Sequence, residues 1–140
     1  MTVKMDAAAL TAFLHRDFGQ VAQDFVVDHV SPEVLRLRMP VAERHLRPGG
    51  TVSGPAMFAL ADVALYLAIL SRLGPVALAV TTNCAIDFMR KPAAGRNLWA
   101  EARLLKLGRL LAVGDVMIFS DGVPDPVARA SLTYAIPPAK

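Results

Sequence analysis

The sequence predicts an α+β domain in which an antiparallel sheet wraps one long central helix. Three observations carry this. Residues 53–71 form a helical run that is apolar on nearly every face, so the helix must be buried on most sides rather than lie on a surface. Most of the strand candidates follow it in sequence and are separated by short turn signals, the pattern of an antiparallel sheet. The chain has 140 residues, the size of one domain, expected here over 1–140, with a core over about 20–136.

The first element is a helix over about 6–18. Asp6 can cap it, Leu10, Phe13, Leu14 and Phe18 recur at helical spacing, and Gly19 reads as a stop. Val21 to Val30 is strand-like with imperfect alternation. The clearest strand is Val34 to Met39, where Leu35, Leu37 and Met39 share one face and Arg36 and Arg38 the other. Arg44 to Val52 is a loop around Pro48-Gly49-Gly50. Ser53 then caps the long helix, with Pro55 in its first turn. Beyond Gly74-Pro75 the strand candidates are Val80 to Thr82, Ile86 to Phe88, Leu98 to Leu107, Leu110 to Phe119 and Val127 to Tyr134, with turns at 92–95, 107–109 and 121–126.

Composition narrows the function. Hydrophobic residues make up 54% of the chain. With the glycines added and the tyrosines left out, the apolar share is roughly 59%, above the 45–50% of ordinary domains. The excess excludes a disordered chain and predicts an oligomer that covers apolar surface. A net charge of +3 and a pI near 9.4 favour an anionic ligand but are too weak to imply nucleic acid. No signal peptide is visible, and Asp62 interrupts the longest apolar run, so no membrane segment is expected. The lone Cys84 suits a reducing cytoplasm. His15, His29 and His45 lack metal-ligand spacing, so neither a metal nor another cofactor is expected.

Asp62 is the residue that asks for an explanation. It lies mid-helix between Ala61 and Val63, where Asp is a poor helix former and a buried, unpaired carboxylate is costly. Either it reaches a surface or an arginine, or it serves as a general base or nucleophile in a partly apolar cleft. Ser53-Gly54-Pro55 places backbone N–H groups at the positive end of a helix dipole. That terminus can cap itself or polarise a carbonyl oxygen. No His and acid can be placed beside Ser53, and Gly-x-Ser-x-Gly is absent, which argues against Ser53 as a nucleophile. Met57, Phe58 and Tyr66 either line a pocket or belong to the core.

Arg47 to Pro55, then Leu60-Ala61-Asp62-Val63-Ala64, then Ile86 to Pro92 with Gly95, together resemble the hotdog-fold acyl-CoA thioesterases of the phenylacetate-degradation (PaaI-like) group. The resemblance spans about residues 20–136. Ser53-Gly54-Pro55 stands at the family's His-Gly-Gly turn, and Asp62 at its helix acid nine residues on. Ile86 to Pro92 is similar to a strand ending Phe-Leu-Arg-Pro, with Lys91 added, and Leu107-Gly108-Arg109 fits the next hairpin.

The resemblance implies hydrolysis of an acyl- or aryl-CoA. Asp62 would be the nucleophile or general base, the Gly54 N–H would polarise the carbonyl, and Arg47 would stand where an amide side chain usually places water or substrate. Thr81, with Thr82 beside it, would orient water. Arg90 and Lys91 would meet the CoA phosphates, with Arg96, Arg103, Lys106 and Arg109 nearby. The resemblance also implies a homodimer or homotetramer with sites between subunits. Two other readings use the same fold: a catalytically weak module that binds acyl thioesters or scaffolds an oligomer, and a hydratase. The hydratase would need an acid–His pair that His45 does not evidently supply.

Overall fold

The computed structural model describes residues 2–138. Helix α1 (Ala7–Asp17) starts where expected, with Asp6 Oδ1 accepting the Ala9 N–H at 2.9 Å. Gly19 does not end the helical region. It opens a second short helix, α2 (Gly19–Ala22), so Val21 and Ala22 are helical and the first strand is shorter than the sequence suggested. Strands β1 (Val26–Val30) and β2 (Leu35–Met39) form a hairpin, and a single 3-10 turn at Glu43–His45 leads to helix α3 (Gly54–Leu73). Strands β3 (Val80–Phe88), β4 (Leu98–Leu107), β5 (Leu111–Ser120) and β6 (Ala128–Ala135) complete the chain.

The six strands form one sheet in the order β1-β2-β4-β5-β6-β3, and every neighbouring pair is antiparallel. Helix α3 packs across it, burying Leu60, Leu65, Leu67, Ile69 and Leu70 completely against Leu35, Leu37, Leu98, Val116 and Ile118 of the strands. α3 is long and apolar enough to cross a membrane, but it is the buried centre of this core. This is the antiparallel sheet around one central helix that the sequence predicted.

Two features of the sheet bear on function. After α3 the chain crosses to the far edge, so β3 pairs with β6 on one side only and, among the described residues, its other side carries no strand. Apolar side chains cluster along and beside that edge: Leu78 is 78% exposed, Val80 55% and Phe88 51%. A long apolar edge of this kind is normally covered, because its unpaired N–H and C=O groups invite another strand.

Candidate active site

Asp62 sits at the middle of α3 and is half-buried, so its carboxylate needs partners. It has two. Thr81 Oγ1 donates to Asp62 Oδ1 at 2.6 Å, and Tyr134 Oη lies 2.6 Å from the same oxygen and 2.9 Å from the Asp62 backbone oxygen. Thr81 on β3 and Tyr134 on β6 are direct cross-strand partners. The sheet thus delivers two hydroxyls to one carboxylate oxygen of the helix above it. Asp62 Oδ2 accepts no hydrogen bond among the described residues.

The carboxylate opens into a cleft of about 570 Å³. Phe18, Val63, Tyr66, Leu78 and Val80 supply apolar wall, with Asp17 and Gln20 at its border. Tyr66 is packed edge-on against Phe18 and stacked on Tyr134, with ring centroids 6.0 and 6.1 Å apart, and its hydroxyl donates to the Ala77 carbonyl at 2.9 Å. Burial first, then the charge of Asp62 and its hydrogen bond, push the Tyr134 phenol far above its ordinary range, so it remains a donor. Burial and the same carboxylate raise the Cys84 thiol, which keeps it protonated on β3.

The start of α3 is built separately. Ser53 Oγ accepts the Ala56 N–H at 3.2 Å and the Ser53 carbonyl accepts the Met57 N–H at 3.1 Å, an ordinary N-cap. The Ser53 N–H donates to the His45 carbonyl at 2.8 Å. His45 is itself held through Nδ1, which accepts the Ala42 N–H at 2.9 Å. Pro55 has no N–H. The Gly54 N–H therefore stands at the positive helix end with no acceptor among the described residues.

Gly54 faces a second cleft, of about 420 Å³, which also takes in Arg47, Met57, Phe88, Arg90 and Lys91. Arg47, Arg90 and Lys91 are exposed there, Arg90 held by a 2.8 Å bond to the Pro126 carbonyl. So the residues predicted from sequence fall into two groups within one subunit: Asp62 with Thr81, and Gly54 with Arg47, Arg90 and Lys91. Arg47 is not beside Asp62. Thr82 is turned away, donating to the Thr133 carbonyl at 3.2 Å, where a bulge between Thr81 and Asn83 shifts the register. Phe58 is exposed, and Tyr66 rather than Met57 lines the cleft of the acid. No histidine lines either cleft.

Tyr134 is the site residue that sequence reasoning missed. Its inward alternation with Leu132 on β6 was visible, but its partner on β3 is 53 positions away along the chain.

The sequence profile of the thioesterase superfamily matches residues 49–126, which contain α3, β3 to β5 and the residues of both clefts except the α1–α2 wall, Arg47 and Tyr134. The chain is similar to a crystallised protein of Silicibacter sp. TM1040, itself a thioesterase by inference, with 55% identity over 99% of this chain and 96% of that one and a TM-score of 0.92. It is similar to the phenylacetic acid degradation protein PaaI of Thermus thermophilus, solved as a point mutant. There the identity is 31% over 86% of this chain and 100% of that one, with a TM-score of 0.73. An inferred esterase of Deinococcus radiodurans is 37% identical over 82 residues, covering 59% of this chain and 53% of that protein, so the match spans about half of that relative.

Proposed function

The chain belongs to the thioesterase superfamily, with PaaI-like hotdog proteins among its structural neighbours, and from that premise we propose that it hydrolyses an acyl- or aryl-CoA thioester at a site completed by two subunits. The single observation that carries the reading is the half-buried Asp62 carboxylate, oriented by two hydroxyls at the mouth of an aromatic-walled cleft.

The acid and the amide cannot meet on one helix. Gly54 and Asp62 are eight residues apart, and an α-helix rises about 1.5 Å per residue, so they stand about 12 Å apart along α3. One carbonyl cannot touch both. Pairing two subunits along the bare edge of β3 covers Val80 and Phe88 and brings the Asp62 cleft of one against the Gly54 cleft of the other. That arrangement is a homodimer, which can pair further into a tetramer.

In such a site the thioester carbonyl accepts the Gly54 N–H of one subunit while its acyl group occupies the cleft beside Asp62 of the other. Acting as a base, Asp62 takes a proton from water, the hydroxide adds to the carbonyl carbon, and the charge that develops on oxygen is held by the amide and the helix dipole. The carbon–sulfur bond then breaks, and the thiolate of CoA recovers the proton from Asp62. Direct attack by Asp62, giving an anhydride that water opens, uses the same groups. The Thr81 proton is committed to Asp62, so a water meets the lone pair of its hydroxyl. Arg90 and Lys91 are suited to CoA phosphates, and Arg47 to an anionic group at the entrance.

The test is thiol release from a panel of acyl- and aryl-CoA thioesters by the wild type and Asp62→Asn. Turnover that disappears in a folded Asp62→Asn protein supports the reading. No turnover from any thioester, together with a melting temperature raised by acyl-CoA, would replace it with a binding module.

A further inference from the structure

We propose that Tyr134 is a positioning residue for Asp62, which together with Thr81 fixes Oδ1 so that Oδ2 is the oxygen that meets water or substrate. The inference rests on Asp62 being the catalytic acid residue and adds the group that aims it. A carboxylate has two chemically equivalent oxygens until its surroundings distinguish them. Here both neighbouring donors converge on Oδ1, each at 2.6 Å, and Oδ2 accepts none among the described residues. Hydrogen bonds to a charged acceptor are short and directional, so the pair holds the side-chain torsions as well as the charge. Oδ1 already accepts two protons in hydrogen bonds and is the poorer base. Oδ2 retains its lone pairs on a side chain that lines the cleft.

Tyr134 is suited to this task and to little else. It is 2% exposed, its ring is packed on Tyr66, and its one polar side-chain atom points at Asp62. A tyrosine needed only for packing could be phenylalanine; burying a hydroxyl requires a partner, and both acceptors within reach belong to Asp62, the carboxylate Oδ1 at 2.6 Å and the backbone oxygen at 2.9 Å. The phenol keeps its proton, so it stays a donor to Asp62. Its neighbours on other elements agree. Thr81 of β3 donates to the same atom, and Cys84 of β3 stays a neutral thiol beside it.

The experiment measures kcat, KM and melting temperature for wild type, Asp62→Asn, Tyr134→Phe, Thr81→Val and the double variant Thr81→Val/Tyr134→Phe, all by thiol release. Tyr134→Phe removes one oxygen and leaves the stacked ring. We expect kcat to fall about tenfold, the loss of one hydrogen bond to a charged group, with KM unchanged. In the Thr81→Val background the same change should cost more than in wild type, because the last donor on Oδ1 then goes. A Tyr134→Phe protein with unchanged kcat, alongside an inactive Asp62→Asn, overturns the proposal and leaves Asp62 in place. So does a melting temperature that falls while the folded protein keeps its kcat, which would make Tyr134 structural. Equal factors in the two backgrounds would also overturn it, since the hydroxyls would then act independently. An active Asp62→Asn overturns this proposal together with the reading beneath it.

Discussion

Gly114 lies directly beneath Leu65. A Cβ added to this mid-strand glycine of β5 would overlap Leu65 Cδ1 and stand 2.7 Å from the Arg103 carbonyl oxygen of the neighbouring strand. The absent side chain is what allows α3 to rest on the sheet close to the Asp62 turn, since Leu65 follows Asp62 by three residues and is fully buried. Backbone carbonyls cannot step aside as a flexible side chain would.

Gly114→Ala should therefore destabilise the fold by about 1–3 kcal/mol, the usual cost of overpacking a closed core. Urea unfolding of the variant against wild type reads this directly. Because Leu65 must move on the turn that follows Asp62, thioester turnover should also fall, with the loss shared between kcat and KM. An unchanged midpoint would mean that the helix is not seated on β5 at this point.

Subunit mixing reads whether the site spans two chains. Gly54→Pro removes the free N–H at a helix position where proline is well accepted, and Asp62→Asn removes the acid. Each alone should be inactive. Co-folded together they should recover about a quarter of wild-type turnover, because half of the dimers are mixed and each of those carries one intact site and one doubly damaged site. If Asp62 and Gly54 served the same carbonyl within one chain, no mixture would recover anything.

Lys91→Ala should raise KM for CoA thioesters roughly fivefold, about 1 kcal/mol for one exposed phosphate contact, and leave kcat unchanged. The comparison substrate is the same acyl group on a truncated pantetheine thiol, which has no nucleotide phosphates. Its KM should not respond. An equal effect on both substrates would remove Lys91 from phosphate recognition.

Both tyrosines of the chain have raised phenol pKa values, Tyr134 through burial and the Asp62 charge, Tyr66 through burial and the charge of Asp17. The protonated form is favoured by folding, so this contribution to stability is complete below the unfolded phenol value of about 10 and is lost as pH rises above it. Tyrosinate absorbance of the folded protein should accordingly be well below that of the urea-unfolded chain at about pH 10, and should appear together with alkaline unfolding. Tyr134→Phe should make the alkaline loss of stability shallower. Coincident folded and unfolded titrations would contradict the buried hydrogen bond to Asp62.

What the sequence revealed was what local chemistry decides. The alternation of Leu35, Leu37 and Met39 with two arginines makes β2 readable alone, and the all-round apolar face of α3 announces a buried centre with an acid in it. Asn83, Cys84 and Ala85 carry no strand pattern, so β3 appeared as two fragments. Pairing with β6 holds these residues extended, a cause that lies 45 or more positions away. Gly19 resembled a stop because nothing local distinguishes a helix end from the kink between two helices. Thr81 could be placed only by resemblance and Tyr134 not at all, since their convergence on Asp62 depends on strand order rather than on any spacing along the chain.

The bare edge of β3 also has a consequence in time. On the two-subunit reading, a newly made chain has its acid in one cleft and its activating amide in another, and can cleave nothing. Specific activity would then depend on protein concentration, falling on dilution faster than the chains unfold and returning when they are concentrated. Thioesters serve many reactions besides hydrolysis, and on the same reading an unpaired subunit would leave them untouched. The edge that makes a lone chain prone to aggregate would thus be the same edge that withholds its chemistry until a correctly folded partner has arrived.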